Sequence, residues 1–204
     1  MDYLCRRNIS GSGCSVDLGM GWYEGEKTMT WEIGDKFRTL KELGRHLDIV
    51  LTRGERIYIT SKKRWTREVQ GVVFRLSSDI ADFKHSKTFN LDFANERTTM
   101  IEHKILYPLH CVVEKLKNDP STRQAYILEP DFFPYGPPCI LIYNFLYRRK
   151  KLDLVVYLRS SDYKNVLPYD VYTAKHFLRR VALEVGMAAG EIVFVINSFH
   201  IYCD

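Results

Sequence analysis

The stretch that decides the reading runs from Pro137 to Tyr202. It holds four short motifs in order: Pro137-Pro138-Cys139, Tyr157-Leu158-Arg159-Ser160-Ser161-Asp162, Val166-Leu167-Pro168-Tyr169-Asp170-Val171 and Phe199-His200-Ile201-Tyr202. Between the first two lie the strand-like runs Cys139 to Tyr147 and Leu152 to Leu158, and the basic turn Arg148-Arg149-Lys150-Lys151 that joins them predicts a hairpin. Pro168 opens a helix whose apolar face includes Val171, Ala174, Phe177, Leu178 and Val181. Gly186 and Gly190 close it before a strand over Ile192 to Ile196.

Working outward from this stretch, Gln124 to Leu128 reads as a further strand. Met100 to Lys117 reads as a helix because Ile101, Ile105, Leu109, Val112, Val113 and Leu116 recur at three- and four-residue steps. Asn118-Asp119-Pro120 stops that pattern, and Pro108 is a candidate kink within it. Nearer the N-terminus, Asp35 reads as the cap of a helix through Phe37, Leu40, Leu43 and Leu47, and Arg56 to Thr60 alternates like a strand. The expected class is α/β (α+β), with the strands concentrated in the second half.

With 204 residues, 46% hydrophobic and 27% charged, the chain reads as one domain over 1–204, irregular over 1–30, with length enough for a sizeable core. Disorder, collagen and disulfide scaffolds are excluded. A net charge of +5, spread along the chain, suits a small anionic ligand better than a nucleic-acid duplex, and Arg148 to Lys151 reads as a solvated loop. Five cysteines without a CxxC pair, and no charged-then-apolar leader, point to thiols in a reducing cytoplasm and to no metal site. No apolar run approaches the roughly 20 residues that span a bilayer. The early glycines Gly11, Gly13, Gly19, Gly21 and Gly25 lack the context of a dinucleotide or phosphate loop and read as turns.

The four motifs, taken together with their spacing, resemble thymidylate synthase. In that family a Pro-Pro-Cys or Ala-Pro-Cys nucleophile precedes Arg-Ser-x-Asp, then Gly-x-Pro-Phe-Asn-Ile, then His-Ile-Tyr. Here Arg159 follows Cys139 by 20 positions and His200 follows it by 61, the family's separations. Asn118-Asp119-Pro120-Ser121-Thr122-Arg123 resembles the family's Asp-Pro-x-Ser-Arg-Arg loop, with Gln124 in place of its second arginine. The resemblance is best over residues 103–204. It implies a thymidylate synthase-like mixed β-sheet with packed helices, a homodimer, a pyrimidine nucleoside monophosphate as substrate and 5,10-methylenetetrahydrofolate as cofactor.

Alone, Cys139 reads as a buried structural thiol, since free cysteines are among the most buried residues. The ordered motifs make it the candidate nucleophile. Carbon 5 of a pyrimidine becomes nucleophilic once a thiolate has added at carbon 6, and a neighbouring guanidinium favours a thiolate and also binds phosphate. The resemblance gives Arg159 both tasks and Ser160 a share of the phosphate. It gives Asp162 a backbone amide directed at the ring, and it gives His200 and Tyr202 the sugar. Arg123 would reach the phosphate of a partner subunit. Without the family register, Arg159 reads as a sheet-edge cation, Asp162 as a turn carboxylate and Tyr202 as a half-buried strand residue.

Asp170 departs from the family's asparagine. A carboxylate cannot donate to O4 of uracil, but it accepts from the N4 amino group of cytosine and, with one proton shared, meets N3 as well. The cytidylate and deoxycytidylate hydroxymethylases resemble thymidylate synthases with this exchange. Asp170 also fits the first turn of a helix, where the macrodipole favours an anion. The expected activity is therefore (deoxy)cytidylate 5-hydroxymethylation, with a nucleotide-binding protein that lacks folate chemistry as the alternative. Where the family carries its catalytic glutamate this chain has Gly71 or Val72, and Glu68, a turn earlier on what reads as a helical segment, and Asp79 are the nearest carboxylates. Ile140 stands where the family has an active-site histidine. The sequence runs two residues past Tyr202, where family members continue into a tail that closes over folate, so closure of that kind is not expected from this stretch.

Overall fold

The computed structural model describes residues 31–80, 89–129 and 138–203. The early glycine-rich stretch, Cys5, Cys14, Pro137 and Asp204 fall outside them. The elements in order are β1 (Trp31–Phe37), α1 (Leu40–Thr52), β2 (Glu55–Ile59), β3 (Arg64–Ser77), α2 (Leu91–Asn118), β4 (Tyr126–Leu128), β5 (Ile140–Arg148), β6 (Lys151–Asp162), α3 (Leu167–Val185) and β7 (Ala189–Cys203). They build a mixed sheet in the order β1-β3-β7-β6-β5-β4, with β2 pairing β3 beyond β1. The β1/β3 and β6/β7 pairs are parallel and the others antiparallel.

One face of the sheet buries the core. Val72, Phe74 and Leu76 of β3, Leu154 and Val156 of β6, and Ile192, Phe194 and Ile196 of β7 are closed off there with Phe177 and Leu178 of α3. Each such side chain stabilises the fold by about 1.5–3 kcal/mol relative to exposure. Helix α3 carries Pro168 in its first turn and ends on Gly186 at φ 70, a left-handed cap that glycine adopts without strain. The Arg148-to-Lys151 hairpin turns through Arg149 and Lys150, both at positive φ, as a two-residue turn matched to strand twist requires.

Three expectations change. Helix α1 starts at Leu40, because Thr39 accepts from Glu42 N at 3.0 Å while Glu42 Oε2 accepts from Arg38 N at 3.1 Å. Those reciprocal bonds satisfy early amides and leave Phe37 to β1. Helix α2 extends back to Leu91, capped by Asn90 at 3.0 Å from Phe93 N. The segment read as helical around Glu68 is strand β3, held by β1, β2 and β7, so strands are not confined to the second half.

Burial alternates along the strands and then slips by one residue along a line that crosses three of them. The core-facing residues step from Val69 to Val72 in β3, from Ile196 to Phe199 in β7 and from Leu158 to Ser161 in β6. These positions are in register, since Ile196 pairs with Val72 and Leu158, and Phe199 with Val69 and Ser161. Gly71 sits on this line at φ 68, in the left-handed region. Slips of this kind bend a sheet and place two consecutive side chains on the same side.

Candidate active site

The bend explains the first cluster. With both Leu158 and Ser161 facing the core, the intervening Arg159 and Ser160 both turn to the other face. There Ser160 Oγ lies 3.8 Å and Arg159 Nη2 lies 4.0 Å from Cys139 Sγ. Arg159 is aimed by Nε donating to Pro138 O at 3.0 Å, by Nη1 at 3.4 Å from Ser160 Oγ, and by its backbone N donating to Cys139 O at 2.9 Å. Cys139 is partly exposed and Arg159 is exposed. The sulfur therefore sits beside a cation and a hydroxyl that solvent, or an anionic ligand, can reach.

Strand β7 brings in the next pair. Asp162 pairs with His200 across β6/β7, and Tyr163 N donates to His200 O at 2.9 Å. Consecutive amides of a strand point to opposite edges, so the Asp162 amide points to the Cys139 edge. The β5 partner reaches back only to Cys139, opposite Arg159, and among the described residues no strand pairs with Asp162 on that edge. The Asp162 carboxylate serves a turn: Oδ1 accepts from Lys164 N at 3.1 Å and Asn165 N at 3.3 Å, and Oδ2 from Asn165 Nδ2 at 2.8 Å. Glu68 lies directly across the ladder from His200, and Thr66 from Tyr202, so β3 sets a half-buried carboxylate beside the histidine. His200 Nδ1 is enclosed without a hydrogen-bond partner, and the His200 and Tyr202 rings meet edge-on at 5.4 Å. Arg123 is exposed between α2 and β4, and it makes no hydrogen bond to Cys139.

Asp170 occupies a second cluster behind β6. It is fully enclosed, with Oδ1 at 2.6 Å from Arg97 Nη2 and Oδ2 accepting from Ser161 Oγ at 3.2 Å. Ser161 and Ser160 are neighbours on opposite faces of β6, so the two clusters are back to back across one strand. Arg97 Nη1 also donates to Thr173 Oγ1 at 3.2 Å. Burial pushes the Asp170 carboxyl up, and Arg97 and Ser161 oppose that. Glu129, at the end of β4, is raised to about 7 by burial first, against Arg97 and with the Asp170 charge. Tyr143, fully enclosed on β5, is also pushed up by burial and by Glu129. Glu129 and Tyr143 lie close enough for a side-chain hydrogen bond between them to bear on both groups, although Glu129 Oε2 and Tyr143 Oη have no partner within ordinary hydrogen-bond geometry.

Arg97, Glu129 and Tyr143 were not singled out in the sequence. Arg97 alone carried a signal, being a cation among Ala94, Thr98 and Ile101 on the buried stripe of α2. No group of metal-ligating side chains is present among the described residues, and no helix there is long and apolar enough to cross a membrane.

A bent mixed sheet with helices on its core face, carrying a cysteine beside an arginine at the bend, defines a class of α/β protein. The family model for thymidylate synthase matches residues 28–204, and the chain belongs to that family. A Methanosarcina mazei protein named "Putative thymidylate synthase" is 30% identical over 128 residues, covering 61% of this chain and 55% of its own. Thymidylate synthase of Oenococcus oeni is 27% identical over 95 residues, 45% of this chain and 30% of that one. The chain spans about half the length of the first of these curated relatives. The crystal structure of thymidylate synthase from T4 phage superposes with a TM-score of 0.61 at 16% identity, over 81% of this chain and 77% of that one, which establishes the shared fold.

Proposed function

We propose that this protein is a pyrimidine nucleoside monophosphate C5 one-carbon transferase that prefers a (deoxy)cytidylate and forms the 5-hydroxymethyl product. The observation that carries the reading is the partly exposed Cys139 sulfur held 3.8 Å from Ser160 Oγ and 4.0 Å from Arg159 Nη2. A phosphate meeting Arg159 and Ser160 would hold a nucleotide beside the sulfur, and addition of that sulfur to carbon 6 makes carbon 5 nucleophilic. His200 and Tyr202 extend the same face and suit a sugar, with Glu68 across from His200 as the carboxylate available to order water or move a proton. Arg123 is assigned to the phosphate of a second subunit in a homodimer, in a cytoplasmic setting.

The choice of cytosine rests on Asp170. The carboxylate is enclosed behind β6 and already accepts from Arg97 and Ser161, so a base at Cys139 meets it only when that cluster opens. The hydroxymethyl outcome follows from the cytidylate branch of the family by analogy.

5,10-Methylenetetrahydrofolate is the one-carbon donor that family membership implies. Beside Cys139 the described carboxylate a pterin could use is Asp162, and three bonds from Lys164 and Asn165 already occupy it. That leaves Asp162 about one acceptor site, and no step is derived through the folate.

The test needs no folate. Release of tritium from carbon 5 of cytidylate requires only reversible thiol addition, so wild-type protein is expected to release it and Cys139→Ser to release none while still binding nucleotide. Release by Cys139→Ser would place the chemistry elsewhere. Binding without release by the wild type would favour a nucleotide-binding role.

A further inference from the structure

The ladder that sets His200 on the Cys139 face also builds an acidic row across the sheet. Glu55 of β2 pairs with Glu68 of β3, Glu68 with His200 of β7, and His200 with Asp162 of β6, so four adjacent strands hold these residues in one line. Directly opposed residues share a face, with Cβ atoms about 4.5–5.5 Å apart, and like charges so placed repel. The neighbours Val69, Phe199 and Ser161 face the core, which puts the row on the other side, with Cys139. Asp162 is already committed, since its carboxylate accepts three bonds from Lys164 and Asn165. His200 Nδ1 is enclosed without a partner, so Nε2 is the ring nitrogen that a ligand can meet. Glu68 is half-buried, and among the described residues its carboxylate enters no hydrogen bond and no ion pair. An acceptor beside the sugar-facing side chains, with a second carboxylate opposite it, is a place for a donor brought by the ligand.

We propose that Glu68 is a specificity-determining residue that accepts a hydrogen bond from the 2′-hydroxyl of the nucleotide, so that the protein selects ribonucleoside over deoxyribonucleoside monophosphates. The inference rests on the sugar role given to His200 and Tyr202 above and is independent of the choice of base. Its place in the sheet fixes the part left open for Glu68. Strands β6 and β7 separate it from Cys139, and at about 4.8 Å between strands it stands roughly 14 Å along the sheet from the nucleophile. A ring bonded at carbon 6 to the sulfur stays at the Cys139 end, and the sugar extends toward His200. The hydrogen-bond accounting then separates the two sugars. His200 Nε2 and the Tyr202 hydroxyl suffice for the 3′-hydroxyl that both sugars carry, and a carboxylate only accepts. The 2′-hydroxyl, vicinal and cis to the 3′, is the donor that ribose adds. Binding a deoxynucleotide takes water from Glu68 and returns no donor, which carries a desolvation cost. An acidic side chain meets a ribose 2′-hydroxyl in the same way in dinucleotide-binding folds. The row also orients the ligand, since its charge repels a phosphate that Arg159 and Ser160 attract.

Binding titrations on the full chain test this, with cytidylate, deoxycytidylate and the 2′-fluoro analogue, which fills the place of the hydroxyl without a donor. Wild type is expected to bind cytidylate about tenfold more tightly than either of the others, the size of one hydrogen bond to a charged group. Uridylate and deoxyuridylate should give the same ratio, because the base takes no part in it. Glu68→Ala should bring the ratio to within about twofold, and Glu68→Gln, which keeps a neutral acceptor, should hold it near about threefold. The ratio is internal to each protein, so a change in strand packing that weakens all nucleotides alike does not move it. Equal wild-type affinity for cytidylate and deoxycytidylate, or tighter binding of deoxycytidylate or the fluoro analogue, overturns the proposal without any variant. An undiminished ribose preference in Glu68→Ala overturns the assignment to Glu68. If no cytidine or uridine monophosphate binds the wild type, the nucleotide reading itself fails and takes this one with it; nucleotide binding without sugar preference refutes the role of Glu68 alone.

Discussion

Replacing Asp170 by asparagine removes the charge that Arg97 meets at 2.6 Å inside the protein. Removing one member of a buried ion pair costs about 3–5 kcal/mol, because the remaining charge is left without its partner. Two features reduce that here: the Arg97 side chain is 20% exposed, and Glu129 lies near enough to interact with it. The expected loss is therefore roughly 2–3 kcal/mol, and with about 2–4 °C of Tm per kcal/mol for a chain of this size, Tm should fall by about 4–12 °C. Thermal and urea denaturation of wild type, Asp170→Asn, Arg97→Met and the double variant close a cycle, and its coupling energy should exceed about 1 kcal/mol. The same variant changes base choice. Wild type should bind cytidylate more tightly than uridylate by about ten- to a hundredfold, the effect of a mismatched hydrogen bond to a buried charge, and Asp170→Asn should reverse the order. A variant within about 0.5 kcal/mol of wild type, the scatter of ordinary surface substitutions, would refute the ion-pair reasoning. Equal wild-type affinity for the two bases would remove the argument for cytidylate.

Arg159→Ala should weaken nucleotide monophosphate binding about ten- to a hundredfold and leave the unphosphorylated nucleoside unaffected, because the loss is one of charge-assisted bonds to phosphate; parallel titrations decide it. Glu129, raised from 4.5 to about 7 by burial, binds its proton more tightly in the folded chain than in the unfolded one. Stability should accordingly fall as pH rises from about 4.5 through about 7, by about 1–2 kcal/mol once solvent screening of this partly exposed group is allowed for, and Glu129→Gln should flatten that slope in urea melts. At Gly54 a Cβ would stand 2.6 Å from Glu68 O and 3.0 Å from Glu68 C. Gly54→Ala must push β3 outward at Glu68, with a loss of about 1–3 kcal/mol readable by thermal denaturation.

The residues of the Cys139 cluster were legible because the order and spacing of motifs between Pro137 and Tyr202 survive any uncertainty about structure. Helix α3 was legible for a related reason, since Pro168, a periodic apolar face and Gly186 are all local signals. What failed locally failed for a physical cause. The start of α1 was misplaced because Asp35 is as good a cap by type as Thr39, and only the return bond from Glu42 selects between them. The Glu68 segment was misread because β7, which pairs with it residue for residue, comes from the far end of the chain.

The sequence by itself determined the family, the nucleophile candidate and the Asp-for-Asn exchange, all of which are matters of residue type at fixed intervals. Tertiary structure decided that Arg159 and Ser160, consecutive in a strand, both reach Cys139 Sγ, since that depends on a slip shared by three strands and no single strand encodes it. It also decided what surrounds Asp170. Arg97 lies 73 residues away and Glu129 follows β4; the first meets the carboxylate and the second comes within its electrostatic reach only because α2 packs on α3 while β4 edges the sheet. Charges so far apart in sequence acquire their energies from distance and burial, and the fold sets both.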